Sequence, residues 1–416
     1  MTRLREAHAH IALHGRSSSF VDLAPCTSAA DALERIATAS ASLEPSRWLI
    51  AVGARPEGWS VPGWFSPGDL NEAVGGCPAF VWCFDHHAGM ASAAGLAAAG
   101  IASDTPDPAG GTFLRDAAGQ PTGVALESAA HAVWSAVPEP TPSEWRSHIG
   151  RGLGDFVRCG FTEVHELHAP SWLGPMLAGL SDAGELPVDV TLYEPVEDIA
   201  AAFDRAKDWQ RDNLRLGGGK IFADGTLNSR TAWMLAPYAD PVPGHPTGHA
   251  LWTVDAIAEA AARCASLGVG LACHAIGDGA ARAVLDAYEL AKVPADRSFR
   301  VEHAELLDKG DVPRFAAMGV VCSVQPCHLL TDIEALRRLV PDRLDRVLPF
   351  RELIDAGCAP GELLWFGSDA PIVRPEPQDS IDAATLRRRP GMPEADAIAP
   401  DQSLTESEAW AAFARG

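Results

Sequence analysis

The chain contains no CxxC pair of cysteines, and its cysteine count is odd, so we expect no disulfide framework. The nine cysteines are scattered, at positions 26, 77, 83, 159, 264, 273, 322, 327 and 358. The first ten residues, MTRLREAHAH, lack the apolar core of a signal peptide. No apolar run approaches the length of a membrane span. These absences favour a cytoplasmic protein with reduced, mostly buried thiols.

Basic residues are scarce relative to acidic ones. The chain has 33 Lys and Arg against 55 Asp and Glu, which gives a formal net charge of -22 at pH 7. This balance argues against nucleic acid or an anionic membrane surface as the main partner. A small-molecule ligand is the expected partner. The 416 residues, 47% of them hydrophobic, suffice for one large domain or two medium ones with a sizeable core.

Short apolar runs alternate with helix-like segments from residue 143 onward. Segments such as Val254–Leu267 and Gly279–Lys292 have the apolar period and composition of helices. This alternation predicts a parallel sheet, and with Leu4–His10 the strands number eight, which predicts a (β/α)8 TIM barrel over residues 1–416. The other seven runs are 160–167, 187–193, 214–225, 268–278, 299–306, 319–326 and 362–371.

Residues 11–142 do not follow the strand–helix repeat. They contain the apolar runs 48–54 and 78–85, many glycines and prolines, and RDAAGQPTG at 115–123, which predicts a β-hairpin. We interpret this region as a large insertion after the first strand that caps the barrel mouth, because loops on that face are free of the packing constraint.

Candidate metal ligands stand at the ends of several predicted strands. His8 and His10 are alternate residues, so their side chains point to the same side and can hold one ion together. His274, His303 and Asp369 end later strands, whose carboxyl ends meet at one mouth of a barrel. Imidazole and carboxylate groups suit zinc and similar ions, and Asp369 can also take a proton from an activated water.

Each candidate also has an ordinary structural interpretation. The HxH pair fits an exposed edge strand, and a strand-end histidine fits a core residue bonded to a backbone carbonyl. Ser368 or Asp369 could cap a helix. The repetition of such residues on successive strands favours the metal site.

Lys220 lies inside an apolar strand directly after three glycines. A buried ammonium group is costly without a partner. Carboxylation by CO2 would turn the amine into an anionic carbamate that can bridge two metals. An ion pair with Asp224 or Glu163 is the alternative, and the residues alone leave both open.

The ordered set of HAH (8–10), Lys220, His274, His303 and Asp369 resembles that of the amidohydrolase superfamily. The finer text resembles its amidohydrolase-3, or YtcJ-like, branch, which includes N-substituted formamide deformylases, and the likeness covers nearly the whole chain. The matching segments are DHHAGMASAAGL (85–96), GGTFLRDAAGQPTGVALE (110–127), GKIFADGTLNSRTA (219–232), CHAIGDGAARAVLDAYE (273–289), FRVEHAEL (299–306), SVQPCHLLTD (323–332) and FGSDAPIVRPEP (367–377).

The resemblance implies a (β/α)8 barrel that binds one or two divalent ions, with zinc the usual one. It implies hydrolysis of a C–N bond in an amide, N-formyl or cyclic amide group by an activated water, with Asp369, His303 and His274 as catalytic residues and a carboxylated Lys220 as a bridging ligand. Deamination or ester hydrolysis at the same site, or a catalytically silent barrel that binds a small molecule, are the alternatives. The complete ligand set favours an enzyme.

Three departures from the family pattern stand out. The chain begins seven residues before His8 and ends just past a predicted helix, Thr405–Ala414, so we expect the family's β-sandwich to be absent. The first strand is short and polar, which predicts a frayed strand or one supported by a partner chain in a homo-oligomer. The family's DGHxxWVNS text is here DHHAGMAS, which retains His87 but changes the region expected to contact substrate.

Five residues are the predicted substrate contacts. They are His87, Asp224, Arg230, Gln325 and His328. Arg230 could instead pair with Asp224.

Overall fold

The computed structural model describes residues 3–44, 47–56, 59–84, 88–108, 110–242, 244–296 and 298–415. The chain divides into two compact units. One comprises Met1–Gly15 with Arg146–Gly416, and the other is Arg16–Trp145.

The first unit is built on eight parallel strands whose order around the sheet follows the order along the chain. The two ends of the sheet meet because Ala9 bridges to Ala370, with His10 N donating to Ala370 O at 2.8 Å and Asp369 N donating to His8 O at 2.7 Å. The predicted (β/α)8 barrel is confirmed. Its strands are β1 (Leu4–Ala9), β2 (Phe161–Leu167), β3 (Asp189–Pro195), β4 (Leu214–Phe222), β5 (Gly270–Ala275), β6 (Phe299–His303), β7 (Val321–Val324) and β8 (Leu364–Phe366).

Helices follow the barrel strands and bury one apolar face each. In Val254–Ser266, for example, Ile257, Ala261 and Cys264 are buried at helical spacing, and the Thr253 side chain caps the first turn. None of the helices that the structure describes is long and apolar enough to cross a membrane. The other main helices are Ile11–Ser17, Pro142–Arg158, Leu173–Asp182, Ile199–Trp209, Asp278–Ala291, Val312–Met318, Leu329–Leu339, Phe350–Asp355, Pro377–Leu386 and Glu406–Phe413.

The first strand is well packed, so the prediction that it frays is wrong, whereas its support by a partner chain stays a prediction. All but the first residue of β1 are buried, and its polar side chains find partners within the same chain. The Arg5 guanidinium lies 3.8 Å from the Trp365 ring centroid. The Glu6 carboxylate accepts hydrogen bonds from the backbone N–H groups of His8, at 3.1 Å, and Ser368, at 2.8 Å. A polar strand is tolerated here because its polar groups find partners in the same chain and because burial raises the pKa of Glu6 to about 8, so that its carboxyl group is mostly uncharged at neutral pH.

Close backbone approaches require glycine at two strand positions. A Cβ on Gly218 of β4 would lie 1.9 Å from the Gly270 carbonyl oxygen of β5, and one on Gly367 would lie 2.6 Å from His8 N. Glycine at these positions lets neighbouring strands approach closely enough to hold Lys220 and His8 in register.

The second unit is a mixed six-stranded sheet with its own two apolar clusters. The hairpin predicted at 115–123 is present, with Gly111–Arg115 antiparallel to Pro121–Glu127. The remaining strands are Val21–Asp22, Leu49–Ala54, Ala79–Cys83 and Ala88–Ala91, and the helices are Ala29–Ser40, Pro67–Ala73, Ala93–Ala98 and Ser128–Trp134. The capping role of 11–142 stays a prediction.

Candidate metal centre

Three side chains from different barrel strands converge at the carboxyl ends of the strands. One ligand atom each from His8, His303 and Asp369 lies within 4.8 Å of the others, and all three residues are buried. His10 joins them, because its Nε2 is 3.1 Å from Asp369 Oδ1, and His8 Nε2 is 3.5 Å from the same oxygen. The two histidines of the HxH pair therefore face one carboxylate, as the strand alternation predicts.

Two members of this group hold unusual backbone conformations. His303 has φ of 71° and Asp369 has φ of 61°, which is the left-handed region that residues other than glycine rarely adopt. Such strain is typical of sites whose side chains must be aimed. The left-handed conformation changes the direction of the backbone at both residues, at the point where their strands end.

The protonation of His8 is set by its neighbour Glu302. His8 Nδ1 lies 2.6 Å from Glu302 Oε2, and Arg300 donates to the same carboxylate through Nε and Nη2. Burial alone would raise the pKa of Glu302, but Arg300, His8 and Lys220 hold it well below its usual value. Burial, with repulsion from Lys220, lowers the pKa of His8 to about 4. The ionised Glu302 can only accept, so the His8 proton sits on Nδ1 and the Nε2 lone pair faces Asp369.

His10 lies between two carboxylates. Its Nδ1 is 3.6 Å from Glu166 Oε1 and its Nε2 faces Asp369. Burial alone would lower the pKa of His10, but hydrogen bonds to Asp369 and Glu166 outweigh this effect and raise the pKa to about 9. A cation bound between His10 and Asp369 would have to displace that proton.

His303 and His274 complete a row of imidazoles. The His303 ring centroid lies 4.9 Å from that of His8 and 4.4 Å from that of His274. Burial has the largest effect on both rings, and neighbouring positive charge has the next largest. Together they hold the pKa of His303 well below its usual value and lower the pKa of His274 to about 3. Both are therefore neutral and fit to be ligands. His274 Nε2 lies 2.9 Å from Gly225 O, so the carbonyl contact that a core histidine makes is also present.

Lys220 is fully buried beside this row. Among the described residues its Nζ has no hydrogen-bond partner, and it lies 5.1 Å from the Phe222 ring centroid. Burial lowers its pKa to about 8, although Glu302 and Asp369 oppose this. Neither ion pair expected from the sequence is present: Asp224 accepts hydrogen bonds from backbone N–H groups, and Glu163 bonds to His165 and to arginines.

The donor set fits a divalent ion. At neutral pH the imidazole of His8 turns a lone pair toward the carboxylate of Asp369, which is ionised because His8, His10 and His303 hold its pKa well below the usual value against the effect of burial. Two electron-pair donors at 3.5 Å repel each other unless something positive lies between them. Neutral imidazoles with one carboxylate are the ligands that zinc takes in catalytic sites.

The predicted substrate contacts have different surroundings. Asp224 is buried, accepts backbone N–H groups from Trp233, Ile276 and Gly277, and its Oδ1 is 3.5 Å from His274 Nε2. Arg230 pairs with Asp240 at 3.6 Å, not with Asp224 as the alternative had it.

The other three predicted contacts divide differently. The His328 ring lies 5.9 Å from that of His303, which brings it to the metal centre. Gln325 is buried directly after β7. His87 lies outside the described residues. For all five residues, contact with substrate stays a prediction.

Three buried charged residues near the centre were not recognised as site residues in the sequence. Glu302 orients His8, Arg300 holds Glu302, and Glu166 accepts from the backbone N–H of Ile11 and faces His10. The signal was present, because each is a charged residue inside an apolar strand, the same pattern that marked Lys220. The contacts of Glu302 with His8 and of Glu166 with Ile11 join residues that are 294 and 155 positions apart, so those pairings could not be seen in the sequence.

Comparison with known proteins agrees with this geometry. A family model described as "Amidohydrolase family" matches residues 4–416. The YtcJ protein of Bacillus subtilis (strain 168), which is named an amidohydrolase, is 29% identical over 399 residues, covering 92% of this chain and 72% of that protein. An N-substituted formamide deformylase of Arthrobacter pascens is 25% identical over 423 residues, covering 97% of this chain and 76% of that enzyme.

The fold has a counterpart among solved structures. An uncharacterized metal-dependent hydrolase from Pyrococcus horikoshii OT3 superposes with a TM-score of 0.79 at 24% identity, covering 98% of this chain and 79% of that one. The family match extends over nearly every residue of the chain and includes all the converging ligands. The resemblance drawn from the sequence motifs is confirmed, and the chain belongs to the amidohydrolase family.

Proposed function

We propose that this protein hydrolyses a C–N bond of a small-molecule amide, N-formyl or cyclic amide compound at the centre formed by His8, His10, His303 and Asp369. The observation that carries the proposal is the convergence of ligand atoms from His8, His303 and Asp369 at the mouth of a closed parallel barrel. The names of its relatives, an amidohydrolase and a formamide deformylase, support the same bond type.

The residues of the centre would hold a divalent ion, for which we propose zinc. Such an ion is a Lewis acid, which lowers the pKa of water and polarises a carbonyl group. Asp369 is ionised and close to both histidines of the HxH pair, so it is placed to accept the proton of the attacking water and to return it to the leaving nitrogen. His303 and His274 are both neutral and lie side by side, and we propose that they would stabilise the charge that develops on the carbonyl oxygen. The overall reaction consumes one water and yields an acid and an amine.

We propose that Lys220 is carboxylated and supplies an anionic ligand for a second ion. Its amine is buried and unpartnered among the described residues, and its pKa of about 8 leaves a usable fraction of neutral amine at neutral pH. The nitrogen would attack CO2 and lose a proton to give the carbamate. A buried anion there would relieve the repulsion between a bare ammonium group and a bound cation.

We propose a cytoplasmic location, which the odd number of cysteines and the lack of a CxxC pair support. Gln325 and His328 are the proposed substrate contacts nearest the centre, since one follows β7 and the other lies beside His303.

Metal content and turnover together test the proposal. The protein is loaded with zinc, manganese or cobalt, its bound metal is measured by elemental analysis, and a panel of N-formyl, N-acyl and cyclic amide compounds is assayed. His8→Ala should lose both metal and turnover, whereas His131→Ala, at an exposed position in the second unit, should keep both. Size-exclusion chromatography of the active form distinguishes a monomer from a homo-oligomer.

Three outcomes would contradict the proposal. Hydrolysis of esters alone, or release of ammonia from an amino-substituted ring, would assign the same centre to an esterase or a deaminase. Retention of less than about a tenth of an ion per chain after loading would leave a barrel that binds a small molecule without catalysis.

A further inference from the structure

Several buried polar atoms next to the metal centre lack partners. Among the described residues, no hydrogen bond reaches Glu305 Oε1, either amide atom of Gln325, or Nε2 of His328. Glu305 is 6% exposed and Gln325 is 2% exposed. Buried polar groups are almost always hydrogen-bonded, and leaving one unsatisfied costs roughly 1–3 kcal/mol. A polar ligand bound beside these residues would supply the missing hydrogen-bond partners.

The side chain of Gln325 points into the barrel mouth. Ser323, two residues earlier on β7, faces the barrel interior, where its hydroxyl accepts a hydrogen bond from Arg300 Nη2 at 2.8 Å. Alternate residues of a strand share a face, so Gln325 faces the same side. Glu302 pairs in register with Ser323, and this register brings Gln325 to the level of the segment after His303.

The same corner contains several carboxyl groups. Glu305 follows His303 by two residues, and its carboxyl group is close enough to Asp332 and Asp224 for mutual repulsion. Asp332 lies one helical turn after His328 and accepts a hydrogen bond from Asn228 Nδ2 at 2.7 Å.

The combination favours a positively charged ligand group. A carboxyl group can accept hydrogen bonds from N–H donors, and a cation bound near Glu305, Asp332 and Asp224 would favour their ionised forms. The His328 ring, which belongs to this corner, lies 5.9 Å from the His303 ring. A ligand bound here would therefore also reach the metal centre.

We propose that Glu305, Gln325, His328 and Asp332 form a pocket, the Glu305 pocket, that binds a cationic nitrogen group of the substrate, such as an ammonium, amidinium or guanidinium group. This inference rests on the proposed function, because it takes the bound compound to be a substrate of the hydrolysis. Binding of the cationic group itself does not require turnover. The pocket would select amides that carry a second, protonated nitrogen a few bonds from the bond that is cleaved.

Matched pairs of compounds test the charge preference. N-(4-aminobutyl)formamide against N-pentylformamide places the charge on the amine side, and 5-amino-N-methylpentanamide against N-methylhexanamide places it on the acyl side. We expect the metal-loaded enzyme to prefer the charged member of at least one pair by kcat/KM. Glu305→Gln and Asp332→Asn should reduce that preference roughly 10–100-fold, which is the usual contribution of a hydrogen bond to a charged group.

Glu334→Gln is the control. Glu334 is on the same helix as Asp332 but pairs with Arg389 at an exposed position. It should leave the preference unchanged, and circular dichroism should show that all variants are folded.

Binding measurements separate this inference from the proposed function. Isothermal titration calorimetry with 1,4-diaminobutane and 5-aminopentanamide measures the affinity of the pocket for a cation without any hydrolysis. If neither pair is hydrolysed but one of these cations binds and Glu305→Gln abolishes the binding, the proposed function fails and the pocket stands. If both members of each pair are hydrolysed equally, or the preference survives in folded Glu305→Gln, the pocket is overturned and the hydrolysis stands. The pocket is also overturned if the wild type binds neither cation and prefers neither charged compound.

Discussion

Glu302 Oε2 lies 2.6 Å from His8 Nδ1, although the two residues are 294 positions apart in the chain. Because Glu302 is kept ionised by Arg300, it fixes the His8 proton on Nδ1 and leaves Nε2 free for a ligand role. Glu302 directly precedes His303 on β6. This one strand therefore supplies both a candidate metal ligand, His303, and the carboxylate that orients a second candidate ligand, His8.

Glu302→Gln should weaken metal binding roughly 10–100-fold, the usual effect of removing a partner of a ligating histidine. The amide nitrogen of glutamine would face the Arg300 donors, so the His8 tautomer would no longer be fixed. Zinc affinity is measured against a competing chelator, and the visible spectrum of the cobalt form reports ligand geometry.

Glu163→Gln is the matched control for this change, because Glu163 is another buried carboxylate that bonds to a histidine and to arginines but not to His8. An unchanged cobalt spectrum and zinc affinity in Glu302→Gln would show that Glu302 serves packing only.

Asp369→Asn should keep the fold and much of the metal binding but lower kcat by roughly 10²–10⁴-fold, as loss of a general base usually does. The amide retains an oxygen ligand but cannot take a proton at neutral pH. Steady-state kinetics on an identified substrate give the ratio, and Asp379→Asn, which breaks an exposed pair with Arg374, is the control. A near-normal kcat would place the base elsewhere.

Lys220 should carry a carbamate when the protein is prepared with excess metal and ¹³C-labelled bicarbonate. The expected result is a carbamate carbon resonance in the NMR spectrum that Lys220→Arg removes, because arginine does not form a stable carbamate. Lys207→Arg, at an exposed lysine paired with Asp204, should leave the signal in place. A spectrum without the signal in fully metal-loaded protein would leave a centre with one metal and an unmodified lysine.

The strand-end ligands could be predicted because their signal is local. A histidine or aspartate that ends an apolar run is predicted to lie at the barrel mouth. The two-residue spacing of His8 and His10 predicts that their side chains lie on the same side of the strand. The partners of Arg5 and Glu6, Trp365 and Ser368, lie at the other end of the chain, so the first strand was wrongly expected to fray.

Of the residues in the proposed Glu305 pocket, Gln325 and His328 were predicted as substrate contacts, whereas Glu305 and Asp332 were not. The tertiary fold brings the segment after β6 near a later helix, and nothing local in the sequence indicates that Glu305 and Asp332 come close to each other.

The acid stability of the barrel should depend on Glu163. Burial would raise its pKa, but the hydrogen bond to His165 and the charges of Arg415 and Arg5 lower it to about 2. A carboxyl group whose pKa is depressed in the folded state stabilises the protein above its unfolded pKa, and this contribution is lost as the pH falls toward the folded value. The free energy of unfolding should therefore fall between about pH 4.5 and pH 2 by on the order of 2–3 kcal/mol from this group.

Glu163→Gln should lower the free energy of unfolding at pH 7 and flatten its dependence on pH in that acid range, because the variant has no carboxyl group there to protonate. Urea unfolding followed by circular dichroism at a series of pH values gives both quantities. Glu185→Gln, at an exposed pair with Arg146, should reproduce the wild-type curve. A Glu163→Gln curve parallel to the wild type from pH 4.5 to 2 would mean that the Glu163 carboxylate titrates alike in the folded and unfolded chains, and the arginines around it would then contribute nothing to acid stability.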